Sequence, residues 1–140
     1  MEDSLKTEII IKSVTKIAQQ DGIPVFVVKK GDPDSGIILI KIDLLNGKGQ
    51  LIRRNYSYSL KKNKSVIEHI KLHKEIELEY PKLQKLIEKE IKIDTDAWVV
   101  EIEDKQGRNF FEKIYFLLLY RLYLKTFLCL CWRVISFCIQ

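Results

Sequence analysis

Apolar residues near the start of the chain recur at the spacing of an α-helix. This pattern predicts a helix over about residues 3–20, with one apolar side and one polar side. The apolar side consists of Ile10, Val14, Ile17 and Ala18. Asp21-Gly22 follows, and because glycine readily adopts the positive φ of a helix C-terminus, the helix is expected to end there.

Three segments rich in β-branched residues come next, and the residues between them are typical of turns. The predicted strands are residues 24–30, 37–43 and 50–59. Residues 31–36 (GDPDSG) separate the first two with proline, aspartate and glycine, each of which favours a tight turn. Asn46-Gly47 is a dipeptide typical of β-hairpins, so the second and third strands are expected to pair.

The second half of the chain alternates between helical and extended patterns. Residues 65–68 (SVIE) have the spacing of a capping box, which predicts a short helix that ends near residue 74. A brief strand is expected before Pro81 and a helix after it, because proline is favoured in the first turn of a helix. Further strands are predicted at residues 98–103 (WVVEIE) and from residue 109.

Together these elements predict an α+β fold in a single domain. The expected architecture is an antiparallel sheet of four to five strands with two or three helices packed on it. This domain is expected to span residues 1–113. Residues 114–140 are strongly apolar, and they are expected to form a helix-like tail outside the core.

The tail differs from the domain in composition. It contains all three cysteines, three of the 24 basic residues and no acidic residue. Arg121 and Lys125 lie near its middle, and the cost of inserting them into a bilayer, about 5–7 kcal/mol, offsets the gain of about 6 kcal/mol from the apolar side chains. Three interpretations stay open: a poor membrane anchor, a partner-binding amphipathic helix, or residues added by a shifted or extended reading frame. The composition favours the third.

The domain itself is nearly neutral and contains no cysteine. It keeps 21 basic residues against 19 acidic ones, a net charge of +2. So small an excess is not the basic footprint of a protein that binds duplex nucleic acid. Secreted domains of this size usually carry paired cysteines, and the N-terminus lacks the basic and apolar segments of a signal peptide. A cytoplasmic location is therefore expected.

Two segments of the chain resemble the motifs of a known family. They are residues 30–42 (KGDPDSGIILIKI) and residues 93–108 (IDTDAWVVEIEDKQGR). At this spacing they resemble an uncharacterised alphaproteobacterial family, domain of unknown function 1491, over about residues 5–111. The resemblance implies a small intracellular bacterial protein with the family's fold, and it implies no chemistry. Residues 61–80 and the tail depart from the family's pattern.

Acidic residues in the two motif loops are candidates for a divalent-cation site. Asp32 and Asp34 lie in the first loop, and Asp94 and Asp96 lie in the second. If strand pairing brings the loops to one edge of the sheet, their carboxylates could hold Mg²⁺, which orients phosphate groups. The chain would then be a metal-dependent enzyme acting on a phosphorylated or nucleotide substrate. The alternative is that these aspartates only form tight turns, and the turn composition favours it.

Other catalytic and cofactor chemistry has less support. His69 and His73 are four residues apart on the predicted helix, but no third ligand is near, so they are expected to be solvated. The domain has neither a cysteine nor a G-x-S-x-G motif, which disfavours nucleophilic catalysis. Gly31 and Gly36 precede a strand rather than a helix, so a phosphate-binding loop is not expected. No cofactor is predicted.

Basic and aromatic residues are concentrated on the third predicted strand and in the loop after it. They are Arg53, Arg54, Tyr56, Tyr58, Lys61, Lys62 and Lys64. On a strand, Arg54, Tyr56 and Tyr58 share one side. Aromatic rings beside mobile cations are typical of surfaces that bind single-stranded nucleic acid, although similar residues also protect a sheet edge from pairing.

The favoured function is therefore a non-catalytic binding module. Its expected partner is a protein or a single-stranded nucleic acid, and the tail is a candidate for contact with a membrane. The pattern of residues indicates neither the identity of that partner nor the oligomeric state.

Overall fold

The structure is a computed structural model, and it describes residues 5–114. The chain divides into two units, Met1–Phe110 and Phe111–Gln140, and the fold described below is that of the first. Apart from Ile114, the predicted tail lies outside the described residues. The predicted boundary at residue 113 and the three interpretations of the tail therefore stay predictions.

Within the described segment, the first unit contains two helices and six strands. In chain order they are α1 (Thr7–Gln20), β1 (Val25–Lys29), β2 (Ile38–Asp43), β3 (Lys48–Ser59), β4 (Lys64–Lys71), β5 (Leu78–Glu79), α2 (Tyr80–Ile93) and β6 (Trp98–Glu103). Residues 110–114 are helical as well. The predicted α+β fold is confirmed.

The strands of the described segment form one mixed sheet. Its order is β1-β6-β2-β3-β4, and β5 pairs with the first residues of β3. Every pair is antiparallel except β2 and β6, which are parallel. The sheet is therefore mixed and not purely antiparallel as predicted. The chain crosses over through α2 before β6 inserts between β1 and β2, and neighbouring parallel strands require such a crossover.

Helix α2 covers one face of the sheet. The buried cluster on this face consists of Leu39, Leu51, Leu78, Leu83, Ile87, Ala97 and Val99. Leu83 and Ile87 are one helical turn apart, so both side chains point from α2 towards the strands. Beside this cluster, Arg53 of β3 forms an ion pair with Glu90 of α2 at 3.1 Å. The helix is thereby fixed against the centre of the sheet.

The opposite face of the sheet is also buried. Its residues on β2 and β6 are Ile38, Ile40, Ile42, Trp98, Val100 and Ile102. Helix α1 presents a buried stripe that includes Ile10, Ile11, Val14 and Ala18. The first turn of α1 is joined to the GDPDSG turn, because the Thr7 hydroxyl donates a hydrogen bond to the carbonyl oxygen of Gly36 at 3.2 Å.

The predicted helix over residues 65–74 is wrong, because most of this segment is strand β4. Its eight residues pair with β3 in an unbroken register that places Ile67 opposite Tyr56. The β-branched residues Val66 and Ile67 suit this ladder, and long-range pairing overrides the local capping signal. The strand predicted from residue 109 is also wrong. Residues 110–114 are helical, and the buried positions 110, 111 and 114 follow helical spacing.

Candidate functional site

The β3–β4 hairpin extends beyond the rest of the sheet. Strand β2 pairs with β3 only as far as Arg54, whereas β4 pairs with β3 as far as Ser59. Residues 55–68 therefore form a two-stranded ribbon that has no further neighbour among the described strands. This ribbon is termed the hairpin arm.

Two tyrosines lie on one side of the hairpin arm and are exposed to solvent. Tyr56 is 52% exposed and Tyr58 is 58% exposed. Because side chains alternate along a strand, both point to the same side, opposite Ile67 and Ser65 of β4. The hydroxyl of Tyr58 donates a hydrogen bond of 2.6 Å to Oδ1 of Asn63. One ring is thus held in a defined position although most of its surface is in water.

Three exposed lysines surround the tip of the hairpin arm. They are Lys61, Lys62 and Lys64. Between them, Asn63 adopts a φ of 48°, a left-handed conformation that asparagine tolerates in tight turns. Within residues 5–114, these lysines form no ion pair, and Glu68 is the one acidic residue of the arm. The tip therefore carries an excess of positive charge that is open to solvent.

The two predicted arginines lie at the base of the arm rather than on its exposed surface. Arg54 shares the side of Tyr56 and Tyr58 but is only 5% exposed. Arg53 points to the other face, where it pairs with Glu90. The exposed surface is therefore smaller than predicted and consists of Tyr56, Tyr58, Lys61, Lys62 and Lys64.

The structure brings the two motif loops together. The N–H of Asp32 donates a hydrogen bond to the carbonyl oxygen of Asp96 at 2.9 Å. In return, the indole Nε1–H of Trp98 donates to the carbonyl oxygen of Asp32 at 2.6 Å. Gly31 lies so close to the second loop that an added Cβ would be 2.0 Å from the oxygen of Asp96. The loops thus form a junction made of backbone atoms and one buried indole.

The side chains of the motif aspartates make local contacts. Asp32 accepts hydrogen bonds from the N–H of Asp34 at 2.9 Å and from the hydroxyl of Ser35 at 3.2 Å, and the bond from Asp34 is the main cause that lowers the pKa of Asp32. Asp94 accepts from the N–H of Asp96 at 3.0 Å. These bonds are typical of aspartates that stabilise turns.

No metal centre is evident in the part of the chain that the structure describes. Among residues 5–114, no three or more His, Cys, Asp or Glu side chains are grouped so that they could hold a metal ion. The carboxylate of Asp34 forms an ion pair with Lys6 at 3.0 Å. The cation site suggested at Asp32, Asp34, Asp94 and Asp96 therefore stays a prediction.

The prediction that His69 and His73 lie on one helix is wrong. His69 lies on β4 opposite Arg54, and His73 lies in the loop after it. The Nε2 atom of His73 accepts a hydrogen bond from the N–H of Leu51 at 3.1 Å, and its Nδ1 lies 2.8 Å from the carbonyl oxygen of Glu75. This arrangement fits the neutral tautomer with its proton on Nδ1. His73 is thus a structural side chain that extends the ladder between β3 and β4.

We expect the stability of the protein to decrease as the pH falls below about 6.5. Burial lowers the pKa of His73, and the charge of Lys71 acts in the same direction. The stabilisation is complete above the unfolded pKa of 6.5 and is lost as the pH falls towards the lower folded pKa, because only the unfolded chain is protonated in that interval.

Urea titrations above and below pH 6.5 measure this change in the free energy of unfolding. The matched variant is His73→Asn, which cannot titrate in this range and should show a smaller decrease. If the wild type and the variant lost stability equally between these pH values, the assigned role of His73 would be incorrect.

Sequence reasoning missed a polar cluster on the face that α2 partly covers. Lys41 of β2 pairs with Glu101 of β6 at 3.0 Å, and its Nζ lies 5.6 Å from the ring centroid of Tyr80. The hydroxyl of Tyr80 donates a hydrogen bond of 2.5 Å to Asp43, which raises the pKa of Tyr80. In the sequence, the one indication of this cluster was Lys41, a lysine inside the apolar strand IILIKID. The cluster ties the start of α2 to the central strands.

Within residues 5–114, no helix is both long enough and apolar enough to span a bilayer. The predicted contact of the tail with a membrane concerns residues outside this segment.

Comparisons with known proteins agree on one family. The family model described as "Protein of unknown function (DUF1491)" matches residues 5–112. A crystal structure of a DUF1491 family protein from Caulobacter crescentus CB15 is 29% identical, with a TM-score of 0.61, and covers 76% of this chain and 91% of that one. A solution structure of a protein from A. tumefaciens is 25% identical, with a TM-score of 0.56, and covers 71% and 85%. A search of curated proteins finds no match.

Proposed function

This chain belongs to the DUF1491 family, and we propose that it is a cytoplasmic, non-catalytic binding module that holds a partner with its hairpin arm. The main support is that Tyr56 and Tyr58 are each more than half exposed on a ribbon that extends past the other strands. Leu60 is exposed beside them. Aromatic side chains are enriched in interfaces, and a group of exposed apolar residues often marks a contact surface.

The architecture of the arm also supports a binding role. Its base is fixed, because β3 pairs with β2 as far as Arg54 and Arg53 is held by Glu90. Its outer half has strand pairing on one side only. A surface that projects from a rigid sheet can approach a partner with little rearrangement of the fold, which reduces the entropy lost on binding.

A divalent-metal-dependent enzyme acting on a phosphorylated or nucleotide substrate is the second candidate. It is favoured by the contact between the two motif loops, through the hydrogen bond from Asp32 to Asp96. The hydrogen bonds that Asp32 and Asp94 accept within their own turns weigh against it. A rise in the unfolding temperature on addition of Mg²⁺ would favour the enzyme over the binding module.

We expect variants of the arm to lose a partner that the wild-type chain captures from a bacterial lysate. The tyrosine variant is Tyr56→Ser with Tyr58→Ser, and the tip variant replaces Lys61, Lys62 and Lys64 by glutamine. Both remove exposed side chains, so the fold should be retained. The measurement is the amount of each bound species on the immobilised full chain, with and without nuclease treatment.

The matched control replaces three exposed lysines of α2, namely Lys82, Lys85 and Lys89, by glutamine. It changes the net charge as much as the tip variant does, but at another surface. A species that depends on the arm is lost from both arm variants and retained by this helix variant. If every captured species bound all variants equally, the hairpin arm would not be the binding surface.

A further inference from the structure

We propose that the partner of the hairpin arm is a single-stranded nucleic acid, whose bases stack on Tyr56 and Tyr58 and whose phosphates contact Lys61, Lys62 and Lys64. This inference rests on the binding module proposed above, and it adds the chemical class of the partner. Three properties of the arm carry it: the placement of the rings, the unpaired charge at the tip, and the size of the surface.

The two rings are placed as stacking platforms. Residues two positions apart on a strand are about 6.6–6.8 Å apart along its axis and point to one side. This spacing is about twice the advance of 3.4 Å per nucleotide in a stacked strand, so each ring has room for a base. The hydrogen bond from Tyr58 to Asn63 holds one ring in place before binding. Base stacking does not depend on the base, because every base presents a π-face.

The charge at the tip complements a phosphate backbone. Lys61, Lys62 and Lys64 are exposed and form no ion pair with any described residue, so binding does not require an existing pair to break. The first of them comes three residues after Tyr58 in the hairpin, which places aromatic faces and cations within a few residues of each other. An acidic peptide would neutralise the lysines, but it would offer a planar partner for the rings only where it contains an aromatic residue. A nucleic acid supplies both within a few nucleotides.

The arm suits a single strand rather than a duplex. It offers three cations, and residues 1–113 carry a net charge of only +2, whereas duplex-binding domains present an extended basic face. The bases of a duplex are paired and stacked on one another, so they cannot reach exposed tyrosine rings. The bases of a single strand are free to stack on aromatic side chains.

Fluorescence anisotropy with the full-length protein and a labelled oligothymidylate of about 15 nucleotides tests the proposal, since such a strand covers a typical site. Three phosphate contacts predict a slope of log K against log salt of about −2, which corresponds to binding about 20-fold weaker at 200 mM than at 50 mM salt. A labelled duplex of the same length should bind more weakly. Oligouridylate in a parallel titration separates a preference for RNA from one for DNA.

The variants separate stacking from charge. Tyr56→Ser and Tyr58→Ser should each weaken binding by about 5- to 150-fold, the range reported for one base–aromatic stack. Tyr56→Phe keeps the ring and should retain most of the affinity, because a base stacks on the ring and does not need the hydroxyl. The tip variant should reduce the salt slope to near zero, whereas the helix variant should keep the wild-type slope.

Each result supports or overturns the proposal. Equal binding of duplex and single strand, equal losses in the tip and helix variants, or undiminished binding by the tyrosine variants would overturn it. If oligonucleotides do not bind but a nuclease-resistant species is captured through the arm, this inference fails and the binding module stands. If nothing is captured through the arm, both fail. A single-strand complex lost only from the arm variants supports both.

Discussion

Replacing Gly31 by alanine is expected to destabilise the protein by about 3 kcal/mol or more. The added Cβ would lie 2.0 Å from the carbonyl oxygen of Asp96 and 2.7 Å from the carbonyl carbon of Ala97. Both are backbone atoms held by hydrogen bonds, from the N–H of Asp32 to Asp96 and from Nζ of Lys29 to Ala97. Neither can move aside without separating the two motif loops, so this clash should cost more than ordinary overpacking of a core.

Equilibrium unfolding in denaturant measures the loss, and Gly22→Ala is the matched control. Gly22 has a φ of 72°, but its Cβ would meet no atom within 4 Å. Its substitution should cost only about 1–2 kcal/mol, the strain of a left-handed conformation. A Gly31→Ala protein as stable as the wild type, or no less stable than Gly22→Ala, would show that the loops are not in contact as described.

The junction between the two loops also explains why certain residues occur in the two family motifs. Gly31 and Gly36 in the first motif and Trp98 in the second are the residues whose size or hydrogen bonding the junction requires. An added Cβ on Gly36 would lie 2.8 Å from Trp98 Cδ1. The motifs therefore have a structural role that does not depend on any ligand.

The second large effect is expected for Asp104→Asn, at about 2–3 kcal/mol. The side chain of Asp104 is 2% exposed, and its carboxylate accepts hydrogen bonds from Nε of Arg108 at 2.8 Å and from the N–H groups of Gln106 and Arg108. An asparagine would place an NH₂ group against these donors and remove the nearest counter-charge of the guanidinium, which would keep only the more distant and more exposed Asp21 at 3.9 Å. The partial exposure of Arg108 keeps the cost below that of breaking a fully buried pair.

The pH dependence provides a second measurement of this interaction. Burial alone would raise the pKa of Asp104, but the hydrogen bonds from Arg108 and from the backbone outweigh burial and lower it below 3.8. The stabilisation is therefore complete above pH 3.8 and is lost as the pH falls through the folded pKa, because the unfolded chain is protonated first. The difference between the wild type and Asp104→Asn should shrink in this acidic range.

Lys105→Gln is a suitable control, since Lys105 is exposed in the same turn. It should leave the unfolding free energy within about 0.5 kcal/mol of the wild-type value. The loss associated with Asp104 begins below pH 3.8, whereas that associated with His73 begins below pH 6.5, so the two effects start at different pH values. If Asp104→Asn matched the wild type at neutral pH, the buried pair would contribute nothing to stability.

Local patterns in the sequence were sufficient for most elements. The apolar stripe of α1, the β-branched segments of β1, β2 and β6, and the proline at the start of α2 each predicted the element that forms. The turn at Asn46-Gly47 was predicted because glycine readily adopts a positive φ, and Gly47 has a φ of 83°. These signals act over a few residues, so they can be recognised without knowing what the segment packs against.

The candidate surface was predicted only in part, because local patterns do not show where a neighbouring strand ends. Tyr56, Tyr58 and the three tip lysines are exposed as expected. Alternation also placed Arg54 correctly on their side of β3. Alternation did not reveal that the pairing of β3 with β2 ends at Arg54. Arg54 is therefore buried at the base of the arm, and the two tyrosines are exposed beyond it. The boundary of an exposed surface depends on where a neighbouring strand ends.

The elements, their order and the α+β class follow from side-chain size, branching and polarity, which act between neighbours in the chain. The strand character of β4, the parallel pairing of β2 with β6, the role of His73 and the contact between the motif loops depend instead on residues far apart in sequence. Residues 65–68 illustrate the difference, since a capping pattern worth about 1 kcal/mol yields to a ladder of eight paired residues. Such contacts exist only after the chain has folded, when many weak interactions act together.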